Sequence, residues 1–222
     1  MTATVGRDAL ANPIANDLAQ ALDAALPQTQ CTRCGYPDCR SYAQAMACGD
    51  APINQCPPGG AEGIVRLAQL TGLPVLPLNP LNGSEGPRRL AVIDEAWCIG
   101  CTLCLKACPV DSIVGGPKSM HTVIDPLCTG CELCIPVCPV DCISLVDASS
   151  GRTGWDAWSP AQADEARERF ALHRERLARD EQERLARMAA RSAPSTATGS
   201  EVSVKSSVIE AALARARQRK PG

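Results

Sequence analysis

The spacing of apolar and polar residues changes several times along the chain. Between residues 13 and 73 apolar positions recur at helical intervals in short stretches, among them SYAQAMAC at 41–48 and IVRLAQL at 64–70. Recurrence every three to four residues predicts short amphipathic helices. From residue 90 the pattern contracts to brief apolar runs: LAVID at 90–94, SIV at 112–114, HTVID at 121–125 and CISLV at 142–146. Runs of that length predict strands. Residues 160–191 return to helical spacing with a thin stripe, Ala163, Phe170, Leu177, Leu185 and Met188, among charged residues. Ser159 suits the N-cap and Pro160 the first helical position. A helix this polar is solvated or docks along one seam. A last run, SVIEAALARARQRK at 207–220, puts Val208, Ile209, Ala212, Leu213 and Ala216 on one face.

Punctuation between these patterns divides the chain. PVLPLNPLNGSEGPRR at 74–89 and SAPSTATGS at 192–200 read as linkers. The expected units are a small helical domain at 13–73, a linker at 74–89, an α+β domain at 90–148 and a charged, partly disordered helical tail at 149–222. No apolar run approaches the ~20 residues needed to span a bilayer. The N-terminus lacks a basic stretch followed by an apolar one, so no secretory signal is expected and the cytosol is the expected location.

Composition sharpens the picture. Only 3% of the residues are aromatic, yet there are 14 cysteines among 222 residues. In a compartment that keeps thiols reduced, so many cysteines predict metal ligation rather than disulfides. The overall charge of −2 conceals an asymmetry. Residues 90–148 carry seven acids against two bases, whereas 149–222 carry ten acids against fourteen bases.

The cysteines are written twice in one pattern. CIGCTLCLKACPVD begins at Cys98 and CTGCELCIPVCPVD at Cys128. Aligning 98–113 with 128–143 gives ten identical pairs, and an extended run precedes and follows each copy. Each half therefore reads strand, ligand loop, short helix, strand, the mark of an internal duplication. The spacing C-x2-C-x2-C-x3-C-P is that of two-cluster iron–sulfur proteins, in which the fourth cysteine ligates the other cluster. One cluster is then expected on Cys98, Cys101, Cys104 and Cys138. The other is expected on Cys128, Cys131, Cys134 and Cys108. Pro109 and Pro139 turn the chain after each crossing ligand. Gly100 and Gly130 are expected where backbone approaches the cluster closely. Zinc modules use paired C-x2-C knuckles with a longer gap and fit this pattern poorly.

A further group is CTRCGYPDCRSYAQAMACGDAPINQCPPGG. Cys31, Cys34, Cys39 and Cys56 form a set, with Cys56 preferred over Cys48 because Pro57 follows it, as prolines follow Cys108 and Cys138. Cys48 lies in a helical run and reads as a small hydrophobe. Spacing leaves a cluster and zinc both open here. Cys142 reads as a buried core thiol. His121 reads as a loop hydrogen-bonder and His173 as a solvated residue of the charged helix.

CTRCGYPDCRSYAQAM…INQCPPGG, followed by the duplicated motif joined through KSMHTVIDPLCTGC, resembles the B subunit of Rnf/Rsx electron transport complexes. The resemblance covers residues 13–147. It implies a bacterial two-cluster ferredoxin-like domain preceded by a small helical [4Fe-4S] domain. It implies a third [4Fe-4S] cluster on Cys31, Cys34, Cys39 and Cys56. It also implies a role in passing electrons among ferredoxin, membrane-bound Rnf subunits and NAD(H), coupled to ion movement, with ferredoxin or flavoprotein and the Rnf/Rsx membrane subunits as redox partners. Family members typically begin with a hydrophobic anchor, and none is expected here. A freestanding polyferredoxin donating to another reductase is therefore the alternative, and peripheral attachment at the cytoplasmic face of the inner membrane is an option for the tail.

Other chemistry finds little support in the residues. No G-x-G-x-x-G follows a strand, GGAEG at 59–63 has the wrong spacing, and there is no P-loop. No nicotinamide or flavin site is expected, so the chain reads as a carrier without a substrate site of its own. Two histidines cannot supply paired Rieske ligands in the repeat. The terminal arginines lack accompanying aromatics, so nucleic acid is not an expected partner.

Overall fold

The computed structural model describes residues 13–192 together with 210, 211, 213 and 214. The architecture mixes helices with two small sheets. The expected linker at 193–200 and most of the run at 207–220 lie outside the described residues.

The described residues 13–176 belong to one compact unit. It opens with α1 (Pro13–Ala24), α2 (Cys39–Ala47) and α3 (Gly60–Thr71). Asp38 caps α2 by accepting from the Ser41 amide at 2.7 Å. Gly72 ends α3 at φ 70°, a left-handed conformation that glycine adopts without strain. Leu22, Leu26, Tyr42, Met46, Ile53, Ile64 and Leu67 form a core, and Cys39 and Cys56 sit within it. The Tyr42 hydroxyl donates to the Pro52 carbonyl at 2.7 Å and accepts from the Gln55 amide at 3.1 Å, so its burial leaves no polar atom unmet.

The segment 74–89 is tied at both ends rather than free. Asn54 Nδ2 donates to the Pro77 carbonyl at 2.7 Å, and Asn82 Nδ2 to the Arg33 carbonyl at 2.9 Å. Glu85 accepts from the Ala61 amide at 2.8 Å and the Thr153 hydroxyl at 2.6 Å.

The duplicated region builds β1 (Arg89–Ile93), α4 (Leu103–Ala107), β2 (Ile113–Val114), β3 (Thr122–Val123) and β4 (Ile143–Asp147). β1 pairs antiparallel with β4, Arg89 opposite Asp147 and Ile93 opposite Ile143. β2 pairs antiparallel with β3, Ile113 opposite Val123. The first strand of one copy thus pairs with the last strand of the other, and the inner strands pair with each other. The two halves interlock around a core of Leu90, Ile93, Val110, Ile113 and Ile143 that includes Cys104, Cys108, Cys128 and Cys134.

The short helix expected in both copies forms only in the first. Lys106 in α4 donates its amide to the Thr102 carbonyl at 3.3 Å. The equivalent residue in the second copy is Pro136, which has no N–H, and proline disfavours helical dihedrals at the residue before it. The second copy therefore turns through 133–137.

α5 (Pro160–Ser192) follows a 3₁₀ turn at Gly154–Ala157. Ser159 caps it as expected: its hydroxyl accepts from the Gln162 amide at 3.2 Å, while the Gln162 side chain accepts from the Ser159 amide at 2.9 Å. Ala163 and Ala166 are buried, and Phe170 packs on the core of the duplicated region. His173 continues this line and is 6% exposed, so the solvated reading is overturned. The described residues from Leu177 onward belong to a second unit. Its described helical part exposes Leu177, Leu185 and Met188 and carries Glu181–Arg184 and Glu183–Arg187 pairs at 2.7 and 3.1 Å.

Candidate metal centres

Left-handed residues shape both ligand loops at matching positions. Gly100 and Gly130 stand at φ 66° and 69°, Thr102 and Glu132 at 65° and 66°, Asp111 and Asp141 at 51° and 50°. Neighbouring backbone already requires glycine at positions 100 and 130. A Cβ on Gly100 would lie 2.6 Å from the Ser119 amide nitrogen and carbonyl oxygen, and one on Gly130 would collide with the Arg89 carbonyl. Neighbouring backbone excludes a side chain there, and Gly130 also lines the pocket of Cys108, Cys128, Cys131 and Cys134.

The fold brings the cysteines together across the duplication. Cys128, Cys131 and Cys134 line one pocket with Cys108, walled by Val110, Ile113 and Leu145. Cys98, Cys101 and Cys104 line a second with Cys138, walled by Ile93 and Ile143. Cys142 and His121 also line the second pocket. Among the described residues no group of three or more His, Cys, Asp or Glu side chains is gathered to hold a single metal ion. The sulfurs stand around pockets instead. A cubane of four irons takes one thiolate at each corner, which suits a donor set of that kind.

Where shifts are resolved, the thiols respond chiefly to members of their own set, though Cys134 also feels Cys104. Burial pushes Cys131 up to about 12, with the charges of Cys108, Cys134 and Cys128 adding to it. Cys134 rises to about 12 through burial, then through Cys128 and Cys108. Cys104 rises through burial, with Cys101 and Cys98 contributing. At the amino-terminal group, burial pushes Cys39 well up and Cys56, Cys31 and Cys34 add to it. Cys56 is raised by burial, then by Cys31 and Cys34. Buried, crowded thiols such as Cys39, Cys56, Cys131 and Cys134 resist ionisation, and thiolate ligation to iron would remove both the burial penalty and the repulsion, whereas Cys138 is lowered because hydrogen bonds from the Val140 and Cys142 backbone outweigh its burial. All fourteen cysteines are free of disulfides.

Hydrogen bonds to sulfur add detail that the sequence did not disclose. The Ser112 amide donates to Cys108 Sγ at 3.2 Å, and its hydroxyl lies 3.2 Å from the same sulfur. The His121 amide donates to Cys98 Sγ at 3.4 Å, and its Nδ1 lies 3.3 Å from Cys104 Sγ. His121 is thus a hydrogen-bonder as expected, but its partners are ligand-type sulfurs, and its ring is 1% exposed with Nε2 unpartnered. Cys142 is half-buried rather than a core thiol, with Sγ 3.5 Å from Cys138 Sγ. Cys48 ends α2. Only its position in the repeat, four residues after the crossing cysteine, could have singled out Ser112.

A second chain of contacts serves the amino-terminal group. The Cys39 amide donates to Gln30 Oε1 at 3.0 Å, Gln30 donates to Gln28 Oε1 at 2.8 Å, and Gln28 donates to Asp23 Oδ1 at 3.0 Å. The Thr129 hydroxyl donates to the Thr29 carbonyl at 3.0 Å, joining the loops that carry Cys31 and Cys128. Glu132 bridges Arg33 at 2.7 Å and Arg89 at 2.6 Å.

Comparison with known proteins finds iron–sulfur families over the same stretches of chain. A 4Fe-4S dicluster domain family matches residues 91–145, and a putative Fe-S cluster family matches 26–58. The B subunit of the ion-translocating oxidoreductase complex from Alkalilimnicola ehrlichii is 50% identical over 158 residues, which is 70% of this chain and 84% of that protein. The chain belongs to the B-subunit family of ion-translocating oxidoreductase complexes. Family members from Thiobacillus denitrificans and an Azoarcus strain are 56% identical over 100 residues and 60% over 98. The chain spans about half the length of each of these two relatives, 53% and 54%.

Proposed function

We propose that this chain is a one-electron carrier holding three [4Fe-4S] clusters. The sets are Cys98, Cys101, Cys104 and Cys138; Cys128, Cys131, Cys134 and Cys108; and Cys31, Cys34, Cys39 and Cys56. In domain terms, a small helical cluster domain precedes a two-cluster ferredoxin-like domain. The observation that carries this reading is the crossing of Cys108 and Cys138, each lining the pocket built by the other copy.

A [4Fe-4S] cluster supplies one-electron storage at a potential set by its protein surroundings. The chain's own residues supply the rest. Each set mixes buried and half-buried cysteines: Cys104 and Cys108 are buried, while Cys98, Cys101, Cys131 and Cys138 are half-buried. Buried thiolates exclude water, and half-buried ones leave an edge through which a partner exchanges electrons. The Thr29–Thr129 bond and the Glu132 bridge hold the amino-terminal loop beside the Cys128 loop.

The partners are redox proteins, namely ferredoxin or flavoprotein and the membrane subunits of an Rnf/Rsx-type complex. The relatives' name supports that assembly. The location is the cytoplasm, peripheral to the inner membrane. Among the described residues no helix is long and apolar enough to cross a membrane.

Iron and acid-labile sulfide, measured on protein purified without oxygen, test the reading. It requires about twelve of each per chain, four for each cluster. About eight would confine clusters to the duplicated motif. Zinc without sulfide would overturn the carrier reading.

A further inference from the structure

The two copies differ at one position that touches a crossing sulfur. Four residues after Cys108 stands Ser112, and four residues after Cys138 stands Cys142. In both copies the preceding residue is a left-handed aspartate, Asp111 or Asp141. That turn folds the chain back so that the next side chain meets the crossing cysteine. Ser112 Oγ lies 3.2 Å from Cys108 Sγ, and Cys142 Sγ lies 3.5 Å from Cys138 Sγ.

A crossing cysteine that ligates iron is a thiolate and can only accept. The Ser112 hydroxyl and the Cys142 thiol are then the donors, and a thiol is a weaker donor than a hydroxyl. Adding an electron to a cluster makes it more negative, so a donor at a ligand sulfur stabilises the reduced form and raises the potential.

We propose, on the reading that the twelve cysteines hold clusters, that Ser112 and Cys142 are positioning residues that set the two potentials of the duplicated domain apart. Ser112 donates strongly to Cys108 and raises the potential of the cluster held with Cys128, Cys131 and Cys134. Cys142 donates weakly to Cys138 and leaves the cluster held with Cys98, Cys101 and Cys104 lower than a serine there would. His121, which touches Cys98 and Cys104, bears on the second cluster only and is unaltered in the comparison.

The experiment is an anaerobic redox titration followed by electron paramagnetic resonance, on wild type and on Ser112→Ala, Ser112→Cys, Cys142→Ser and Cys142→Ala. Iron and sulfide are counted first for each. Ser112→Ala should lower one couple, with Ser112→Cys between it and wild type. Cys142→Ser should raise a different couple, and Cys142→Ala should not. The reduced-to-oxidised ratio at a fixed potential should change severalfold, up to about tenfold, which is about 59 mV for one electron. Unmoved couples in Ser112→Ala and Cys142→Ser would overturn the proposal, as would movement of the same couple in both. Loss of about four irons in Cys142→Ala would make Cys142 a ligand and also overturn it. Wild type without sulfide would instead remove the cluster reading itself.

Discussion

His173 Nδ1 lies 2.9 Å from Asp111 Oδ1, with the imidazole 6% exposed. The same nitrogen lies 3.0 Å from Arg176 Nη2, so His173 and Arg176 meet at Asp111 Oδ1. Arg176 reaches the same oxygen at 2.6 Å, and Arg169 donates to the Val110 and Asp111 carbonyls at 2.9 and 3.2 Å. Three side chains of α5 therefore grip the turn that follows Cys108. Arg174 reaches Asp38, the cap of α2, at 3.0 Å. One helix braces the turns beside two ligand sets.

Replacing His173 with alanine removes a hydrogen bond to a charged group and leaves a gap against the core. The expected cost is about 1–3 kcal/mol. Amide exchange should rise over residues 160–176, and the thermal midpoint should fall. Unchanged exchange would mean that Ala163, Ala166 and Phe170 hold the helix without it.

Cys108→Ser should cost the cluster of the other copy. About four irons should leave, and the remaining signals should be those of the Cys98 and Cys31 groups. Cys138→Ser should do the reverse. Loss of the same cluster from both variants would contradict the crossing.

Gly130→Ala should destabilise strongly, because φ is 69° and the new Cβ meets the Arg89 carbonyl in β1. Forcing a non-glycine residue there costs on the order of 1–3 kcal/mol before the collision is counted. Gly116→Ala, which meets nothing within 4 Å and is not left-handed, serves as the control and should stay close to wild type. Thermal unfolding with iron content would separate the two.

Asp23 carries a carboxyl raised by burial, which outweighs the Gln28 hydrogen bond that lowers it. A raised folded value means that the charged form is penalised in the fold. The penalty is absent below the ordinary carboxylate range, grows as pH rises through it, and is fully present at pH 7. Asp23→Asn keeps an oxygen for Gln28 and removes the charge, so at pH 7 it should match or exceed wild type in thermal midpoint. Asp23→Ala should fall below both, because Gln28 loses that acceptor. Asn less stable than Ala would refute this.

The duplication, the strand runs and the grouping of cysteines were legible because each depends on neighbours a few residues apart. A C-x2-C-x2-C loop can gather three sulfurs locally, and the alternation of short apolar runs marks strand positions before any partner is known. The N-cap of α5 was legible for the same reason: Ser159, Pro160 and Gln162 form one local unit. The helical part of the tail showed its charge but not its seam. Ala163, Ala166, Phe170 and His173 are ordinary helix residues until the Asp111 turn and the core of the duplicated region stand against them.

By itself the sequence determined the candidate sulfur donors and their order along the chain, since spacing alone controls which thiols a short loop can bring together. The tertiary structure decided what surrounds them. It replaced the second short helix with turns, because Pro136 withholds the N–H that Lys106 supplies in the first copy. It made Gly130 indispensable through Arg89, a residue 41 positions earlier whose carbonyl arrives only when β1 pairs with β4. It also set Ser112 and Cys142 against their crossing sulfurs through a left-handed turn. Such contacts depend on distances between chain segments, and no residue pattern encodes a distance until the fold closes.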